Sequence, residues 1–371
     1  MFSYPNELQQ IFDKLLQNEI KPVIVGGFVR DYFLQINSKD IDIELYNVNN
    51  FEEIFKILEN FGNPNETGKS FGVIKLSIDN YELDFSLPRL DNKVSKGHKG
   101  FEVQTFKNLD FKTASFRRDF TINSIGYDII NKEFLDFYNG INDIKTKRLR
   151  YIDKNSFEED PLRILRAVQF CARFEFEMDD KLFLVCKSMV KQNSLNELPH
   201  ERIFTEIKKL LLKAKKPSIG LKLLKKLDIN IFEISDKKLL LIDNFKTNIT
   251  TNTKTKLSVM LAILYKDSNY DLNIISNSKT LEKNIKIFLN IEKFLLKKTG
   301  SIAYNIAKNL DLDILELFLK AINVDNKILK KINLLKPNLH GKDLIKKGIK
   351  PSKEFANILQ NSYDKQLELN F

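Results

Sequence analysis

The stretch Val-Ile-Val-Gly-Gly-Phe-Val-Arg-Asp at residues 23–31, followed by Lys-Asp-Ile-Asp-Ile-Glu at 39–44, decides the reading of this chain. An apolar strand runs into a glycine pair and then a helix start. A second strand follows and carries Asp40 and Asp42. Side chains two apart on a strand point to one face. These two carboxylates therefore aim at one spot beside a turn formed by Gly26 and Gly27. Without Cβ atoms, such a turn lets backbone N–H groups approach phosphate oxygens, and Arg30 adds a cation. Hard oxygen ligands beside a phosphate cradle suit Mg²⁺, and Mg²⁺ held between carboxylates and a triphosphate suits nucleotidyl transfer. Taken singly, a Gly-Gly turn is a plain strand-to-helix connection, and two Asp on a strand are a solvated face. The combination is what points to chemistry.

Working outward, residues 6–18 read as an amphipathic helix with Leu8, Ile11, Phe12, Leu15 and Leu16 on one face. Strand patterns follow at 22–26, 40–46, 72–78 and 81–87, with helical patterns at 28–36 and 49–61. This small α/β head ends near residue 125. From about 155 onward the periodicity is helical, with apolar residues three and four apart at 162–176, 200–214, 217–228 and 255–266. The Lys/Asn-rich stretch 233–256 reads as a linker or loop. A mixed-sheet head followed by an all-helical body is an α+β arrangement with segregated domains.

The chain has 371 residues, enough for several domains, and carries a net charge of +11. An excess of basic residues fits a polyanionic partner such as nucleic acid; biased codon usage that inflates Lys, Asn and Ile is the plainer source. Cys171 and Cys186 lie in apolar helical stretches and read as core thiols. Three scattered histidines form no zinc-spaced cluster. No apolar run reaches membrane-spanning length and no signal-peptide pattern opens the chain, so a reduced, soluble, cytoplasmic protein is expected, with no membrane and no obligate protein partner.

Four further segments carry candidate site residues. Asp84, in Tyr-Glu-Leu-Asp-Phe-Ser at 81–86, is either a third carboxylate or a surface acid on an edge strand. Residues 88–101, with Lys96 and Lys99, are polar, basic and Gly-containing. They read as a mobile loop, either clamping an RNA 3′ end or nucleotide, or merely connecting strands. In Phe-Arg-Arg-Asp-Phe-Thr-Ile-Asn at 116–123, Asp119 and Asn123 share a face if 119–127 is helical. They would then hold ribose hydroxyls while Arg117 or Arg118 meets phosphate; a surface ion pair is the alternative.

Glu-Asp-Pro-Leu-Arg-Ile-Leu-Arg at 159–166 opens a long helix, where Pro161 and the acids suit the first turn. Capping does not account for Arg163 and Arg166 on the same side as Asp160. A carboxylate beside a guanidinium forms a flat acceptor/donor edge that matches the amine and ring nitrogen of cytosine or adenine. Guanine and uracil present a carbonyl to the carboxylate instead. Asp160 with Arg163 would thus accept C and A without a nucleic-acid template.

These motifs in this order resemble those of class II tRNA nucleotidyltransferases, the CCA-adding enzymes, which share a head with bacterial poly(A) polymerases. Gly26 to Asp31 with Asp40 and Asp42 is similar to the family's first motif. Arg117-Arg118-Asp119 resembles its ribose-selecting motif, and Asp136 to Arg150, with Gly140, Asp143 and Arg148, its flexible hinge. Glu159, Asp160 and Arg163 resemble its base-reading motif, Glu201 to Glu206 its neck helix, and Gly341-Lys342 with Gly348 to Pro351 its tRNA-contacting tail. Gln169 stands where the pattern has Arg, Glu175 where it has Gly, and Ser352 where Gly follows Pro351.

The resemblance implies a polymerase-β-like head at 1–125, a neck at 126–195, a helical body at 196–270 and a tail at 271–371. It implies addition of C, C and A to tRNA from CTP and ATP. Two Mg²⁺ ions would sit on Asp40 and Asp42, and Asp84 would join the catalytic set. Gly26, Gly27, Arg30, Arg118, Asp119, Asn123, Asp160, Arg163 and Arg166 would hold the nucleotide, and Lys96, Lys99, Lys342 and Lys350 the RNA. A CC-only or A-only enzyme, a poly(A) polymerase, or a non-catalytic RNA-binding protein on the same head are the rival readings. The C-terminal half has no metal-binding His-Asp phosphohydrolase pattern, which argues against an added phosphatase.

Overall fold

The computed structural model describes residues 2–48, 51–68, 72–93, 101–105, 109–248, 253–266, 278–297, 312–321 and 337–370. The chain forms two compact units, Met1–Pro199 and His200–Phe371.

In the first unit, α1 (Asn6–Gln17) buries Leu8, Ile11, Phe12 and Leu15, the stripe set by their three- and four-residue spacing. Then come β1 (Lys21–Val25), α2 (Gly27–Phe33), β2 (Asp40–Tyr46), α3 (Phe51–Leu58), β3 (Asn65–Gly68), β4 (Val73–Ile78), β5 (Tyr81–Ser86), β6 (Arg89–Lys93) and β7 (Phe101–Thr105). After α4 (Phe111–Phe116) a 3₁₀ turn spans Thr121–Asn123. It is followed by β8 (Gly126–Asp128), β9 (Glu133–Leu135), α5 (Gly140–Lys145), β10 (Arg148–Leu149), α6 (Lys154–Glu159), α7 (Leu162–Phe174), β11 (Glu177–Met178) and α8 (Asp180–Lys191).

Seven strands make one sheet in the order β3-β4-β5-β2-β1-β8-β9. Only β2 and β5 run parallel; the other neighbours are antiparallel. The centre of the sheet is two-faced. Ile41, Ile43, Leu45, Leu83, Phe85, Ile74 and Leu76 are buried on one side, where α1 packs on β1 and α3. The opposite side carries Asp40, Asp42, Glu44, Glu82, Asp84 and Lys75, as the period of two requires. Each fully buried Leu, Ile or Phe of this core contributes roughly 1.5–3 kcal/mol, so the apolar half of the alternation holds the polar half in place.

Four expectations change. The head does not end near residue 125, because β8 bonds to β1 and carries the sheet on through β9. Residues 119–127 are not a helix: the 3₁₀ turn gives way to β8, since the β1 edge offers backbone partners that a helix here would forgo. The 88–101 segment is not all loop, because β6 and β7 pair as a two-stranded antiparallel ribbon. Lys96 and Lys99 lie outside the described residues. Finally, 233–256 is not a linker where it is described; residues 249–252 lie outside the described residues. Residues 236–248 are a helix whose Leu239, Ile242 and Phe245, three apart, are buried, and Lys238 is buried with them, its Nζ donating to the Leu264 carbonyl at 3.0 Å.

Cys171 and Cys186 are buried free thiols, as expected, and burial pushes the Cys171 thiol up to about 12.

The described elements of the second unit are helices: α9 (His200–Lys213), α10 (Pro217–Lys226), α11 (Asp236–Asn248), α12 (Thr253–Tyr265), α13 (Lys279–Lys297), α14 (Leu312–Ala321), α15 (Gly341–Lys346) and α16 (Lys353–Asn370). Pro217 at the first turn of α10 removes an N–H that would have no helical partner. α12 is buried from Leu257 to Tyr265, and α9, α11, α13 and α14 pack against it. A helix that is apolar all round belongs at the centre of such a bundle.

Candidate active site

Register brings the acids together. Asp42 sits opposite Asp84 across the parallel β2–β5 pair, and opposite Val25, the last residue of β1 before the glycine turn. Asp40 lies two residues earlier on the same face, opposite Glu82. Asp84 also receives Lys75 Nζ at 2.9 and 3.0 Å. Solvent reaches Asp42, yet the protein wall around it, and the like charges of Asp84, Glu44 and Asp40, raise its carboxyl above the ordinary range against the pull of Arg118. A cation on this face would relieve that crowding. Among the described residues no group of three or more His, Cys, Asp or Glu converges as a complete metal cage. One or two carboxylates completed by water and substrate phosphate is the donor set Mg²⁺ accepts, so Asp40 and Asp42 fit the ion.

Gly26 has φ +70°, where any other residue is strained. A Cβ there would stand 2.7 Å from Nη1 of Arg118 and 3.4 Å from Oδ2 of Asp42. The glycine thus leaves a hollow bordered by the guanidinium and the acid. Its own N–H donates to the Ile125 carbonyl at 3.1 Å, which ties the turn to the start of β8.

Glu44 escaped the sequence reading. It is 1% exposed, and its Oε1 accepts from Nη2 of both Arg117 (3.1 Å) and Arg118 (3.0 Å), while Oε2 accepts from the Tyr46 hydroxyl at 2.9 Å. Burial alone would raise its carboxyl; the two guanidiniums and the Tyr46 bond overcome that and hold it below the usual range. The signal was present, because Glu44 continues the 40, 42, 44 alternation.

Arg30 corrects another expectation. It is not a solvent-facing phosphate cation: it is 5% exposed, donates from Nε and Nη2 to Asp31 and from Nη1 to Asn123 at 2.6 Å, and lies over the rings of Phe170 and Phe174. Asn123 in turn donates to Asp119 Oδ1 at 2.8 Å, and Arg166 grips Asp119 Oδ2 at 2.6–2.7 Å. Asp119 and Asn123 do meet, through a 3₁₀ turn rather than a helix face. This chain of bonds fastens α2, the turn and α7 together. The α7 helix supplies Arg166, Phe170 and Phe174 at four-residue spacing.

At the junction of α6 and α7, Asp160 Oδ1 caps the N–H of Leu162 at 3.1 Å. Arg163 donates through Nη1 to the Ser156 carbonyl and hydroxyl, and through Nη2 to the Arg117 carbonyl at 2.8 Å. These three bonds leave two of its five donors. The pair is half-buried and sits beside the Arg117–Arg118 segment. Gly140 lies so close to the Thr121 carbonyl that a Cβ would collide with it. The buried Asp143 of α5 accepts from the Thr121 hydroxyl at 2.6 Å and meets Arg150 at 3.0 Å. In the second unit, Lys342 on α15 and Lys350 after it are exposed.

Residues 23–150 match the family model of the poly A polymerase head domain, and residues 175–231 that of a probable RNA- and SrmB-binding site of polymerase A. A CCA-adding enzyme of Buchnera aphidicola subsp. Baizongia pistaciae is 34% identical over 193 residues, 51% of this chain and 44% of that protein. The match therefore spans less than half the length of this curated relative. The fold is similar to that of a CCA-adding enzyme in apo form II, with a TM-score of 0.74 and 23% identity over 99% of this chain and 93% of the other. It is also similar to the Thermotoga maritima CCA-adding enzyme complexed with tRNA CCA, with a TM-score of 0.68 and 22% identity over 99% and 92%. Residues 23–150, the stretch that carries Asp40, Asp42 and Asp84, are thus a head domain of the poly A polymerase type, followed at 175–231 by the match to the RNA-binding segment of the same polymerases.

Proposed function

We propose that this protein adds C, C and A to the 3′ end of tRNA from CTP and ATP, without a nucleic-acid template and with release of pyrophosphate. The observation that carries the reading is the in-register meeting of Asp42 with Asp84, beside Asp40 and the Gly26 hollow. The CCA-adding relatives, and the likeness of fold to CCA-adding enzymes along nearly the whole chain, support it.

In this reading Asp40 and Asp42 hold Mg²⁺, two ions in all, with Asp84 beside them. Bound Mg²⁺ would lower the pKa of the terminal ribose hydroxyl and neutralise charge on the leaving pyrophosphate. The protein's own part is to bind and orient. Gly26 and Gly27 leave room for the triphosphate, and Arg118 faces it. Asp119 and Asn123, braced by Arg30 and Arg166, present polar groups toward the ribose. Asp160 and the two remaining donors of Arg163 read the base edge. The part of 126–195 beyond the head sheet would serve as neck, 196–270 as body and 271–371 as tail, with Lys96, Lys99, Lys342 and Lys350 on RNA phosphates. Such an enzyme would act in the cytoplasm.

The test uses purified protein, Mg²⁺ and tRNA transcripts ending before CCA, after C and after CC. Each is offered each NTP singly and CTP with ATP, and products are sized at single-nucleotide resolution. Growth to CCA with no use of GTP or UTP is expected. Arrest after CC, addition of A alone or a long A ladder would replace the proposal with the corresponding rival, and no growth at all with a binding protein.

A further inference from the structure

Glu44 is enclosed, charged and central, and neither of its oxygens is open to a ligand. Oε1 takes one donor from Arg117 and one from Arg118, and Oε2 takes the Tyr46 hydroxyl. It stands two residues past Asp42 on the same face of β2, opposite Val23 and Ser86. Arg118 is held by Nη2 alone. Its Nη1 borders the Gly26 hollow together with Asp42 Oδ2, and its Nε has no partner among the described residues. A guanidinium is a planar fork, so fixing one nitrogen fixes the direction of the others. An unanchored Arg118 would turn toward Asp42 itself, the nearest other acid, and cancel the charge the site needs. Buried ion clusters of this kind are often replaceable by apolar side chains without loss of stability, so folding alone does not account for the arrangement.

We propose that Glu44 is a positioning residue: by anchoring Nη2 of Arg118 it aims Nη1 of that guanidinium into the hollow over Gly26, beside Asp42, where it receives the triphosphate of the incoming nucleotide. This rests on the nucleotidyltransferase reading above and deepens it by assigning the triphosphate, rather than base or RNA, to the Glu44–Arg118 unit.

The test is a double-mutant cycle of Glu44→Gln and Arg118→Lys, with kcat and KM for ATP measured on tRNA ending in CC. Glu44→Gln is expected to raise KM for ATP about tenfold while kcat and KM for tRNA change less than about threefold, and the double variant to be no worse than Arg118→Lys alone. A folded Glu44→Gln enzyme with wild-type KM for ATP, or additive effects in the cycle, would overturn the proposal. Should Glu44→Gln not fold, Tyr46→Phe removes one donor to Glu44 and keeps its charge. A KM rise of about two- to threefold supports the assignment and no change refutes it. Absence of transfer by the wild-type protein would sink the nucleotidyltransferase reading instead. The same cycle read by ATP calorimetry would then decide the positioning role, coupled losses supporting it and additive ones removing it.

Discussion

Arg30 and Asn123, 93 positions apart in sequence, share a 2.6 Å hydrogen bond inside the protein. The bond joins the helix after the glycine turn to the 3₁₀ turn that carries the Asp119–Asn123 pair. Removing the guanidinium would leave the buried side-chain oxygen of Asn123 without its donor and Asp31 with Arg173, at 3.9 Å, as its remaining ion-pair partner. Arg30→Ala should therefore cost about 3–5 kcal/mol, as expected for breaking a buried pair from one side. Chemical denaturation of the two proteins checks this; a loss under about 1 kcal/mol would mean that the bond is not formed in solution.

Asp42→Ala should lower nucleotide incorporation at least about a thousandfold, since Mg²⁺ coordination supplies several kcal/mol of transition-state stabilisation. Binding of tRNA should stay near wild type. Gel-shift and single-turnover assays separate the two effects, and lost tRNA binding would argue against a metal-holding role.

Asp160→Ala should relax base choice more than it slows total transfer, because the lost acceptor is what disfavours the carbonyl of G and U. The measurement is the ratio of CTP and ATP to GTP and UTP incorporation; an unchanged ratio would remove Asp160 from base reading.

The carboxyl of Asp119 is lowered: burial would raise it, but Arg166, the Asn123 bond and Arg163 more than reverse that. A depressed carboxylate contributes stability above its unfolded value, near 3.8, and loses it as pH falls through the folded value. The stability difference between wild type and Asp119→Asn should thus be flat from neutral pH down to about 5 and shrink below about 4. Urea melts across that range test the sign.

Glu175 ends α7 in the left-handed region, at φ 56° and ψ 43°, and is exposed. A glycine pays no Cβ penalty there, so Glu175→Gly should stabilise the protein by about 0.5–1 kcal/mol. Thermal unfolding gives the answer; destabilisation would show that the glutamate makes a contact worth more than the strain.

Local rules made much of this legible. Period-two spacing placed Asp40 and Asp42 on one face, and three-and-four spacing placed Leu8, Ile11, Phe12 and Leu15 inside. The Gly expected at 175 marks a position that the backbone does turn left-handed. What local rules could not supply was burial. Arg30 reads as a free cation until Phe170 and Phe174, some 140 residues on, close over it. Asp119 and Asn123 satisfy a four-residue helix rule, yet β1 offers that segment a strand partner, and long-range pairing won. In 236–248 the lysines masked an apolar stripe of only three residues, enough to pack because α12 is a mostly apolar helix buried from Leu257 to Tyr265.

The two-faced pattern of β2 has a consequence for how the chain reaches its native state. A slip of one residue against β1 or β5 would turn Asp40, Asp42 and Glu44 into the apolar interior and push Ile41, Ile43 and Leu45 out into water. Three stranded carboxylates make that mispaired sheet too costly to persist. The residues on which catalysis would depend therefore also act as a proofreading device during folding, so that a molecule with its central strand out of step is rejected as a fold before it can exist as a faulty enzyme.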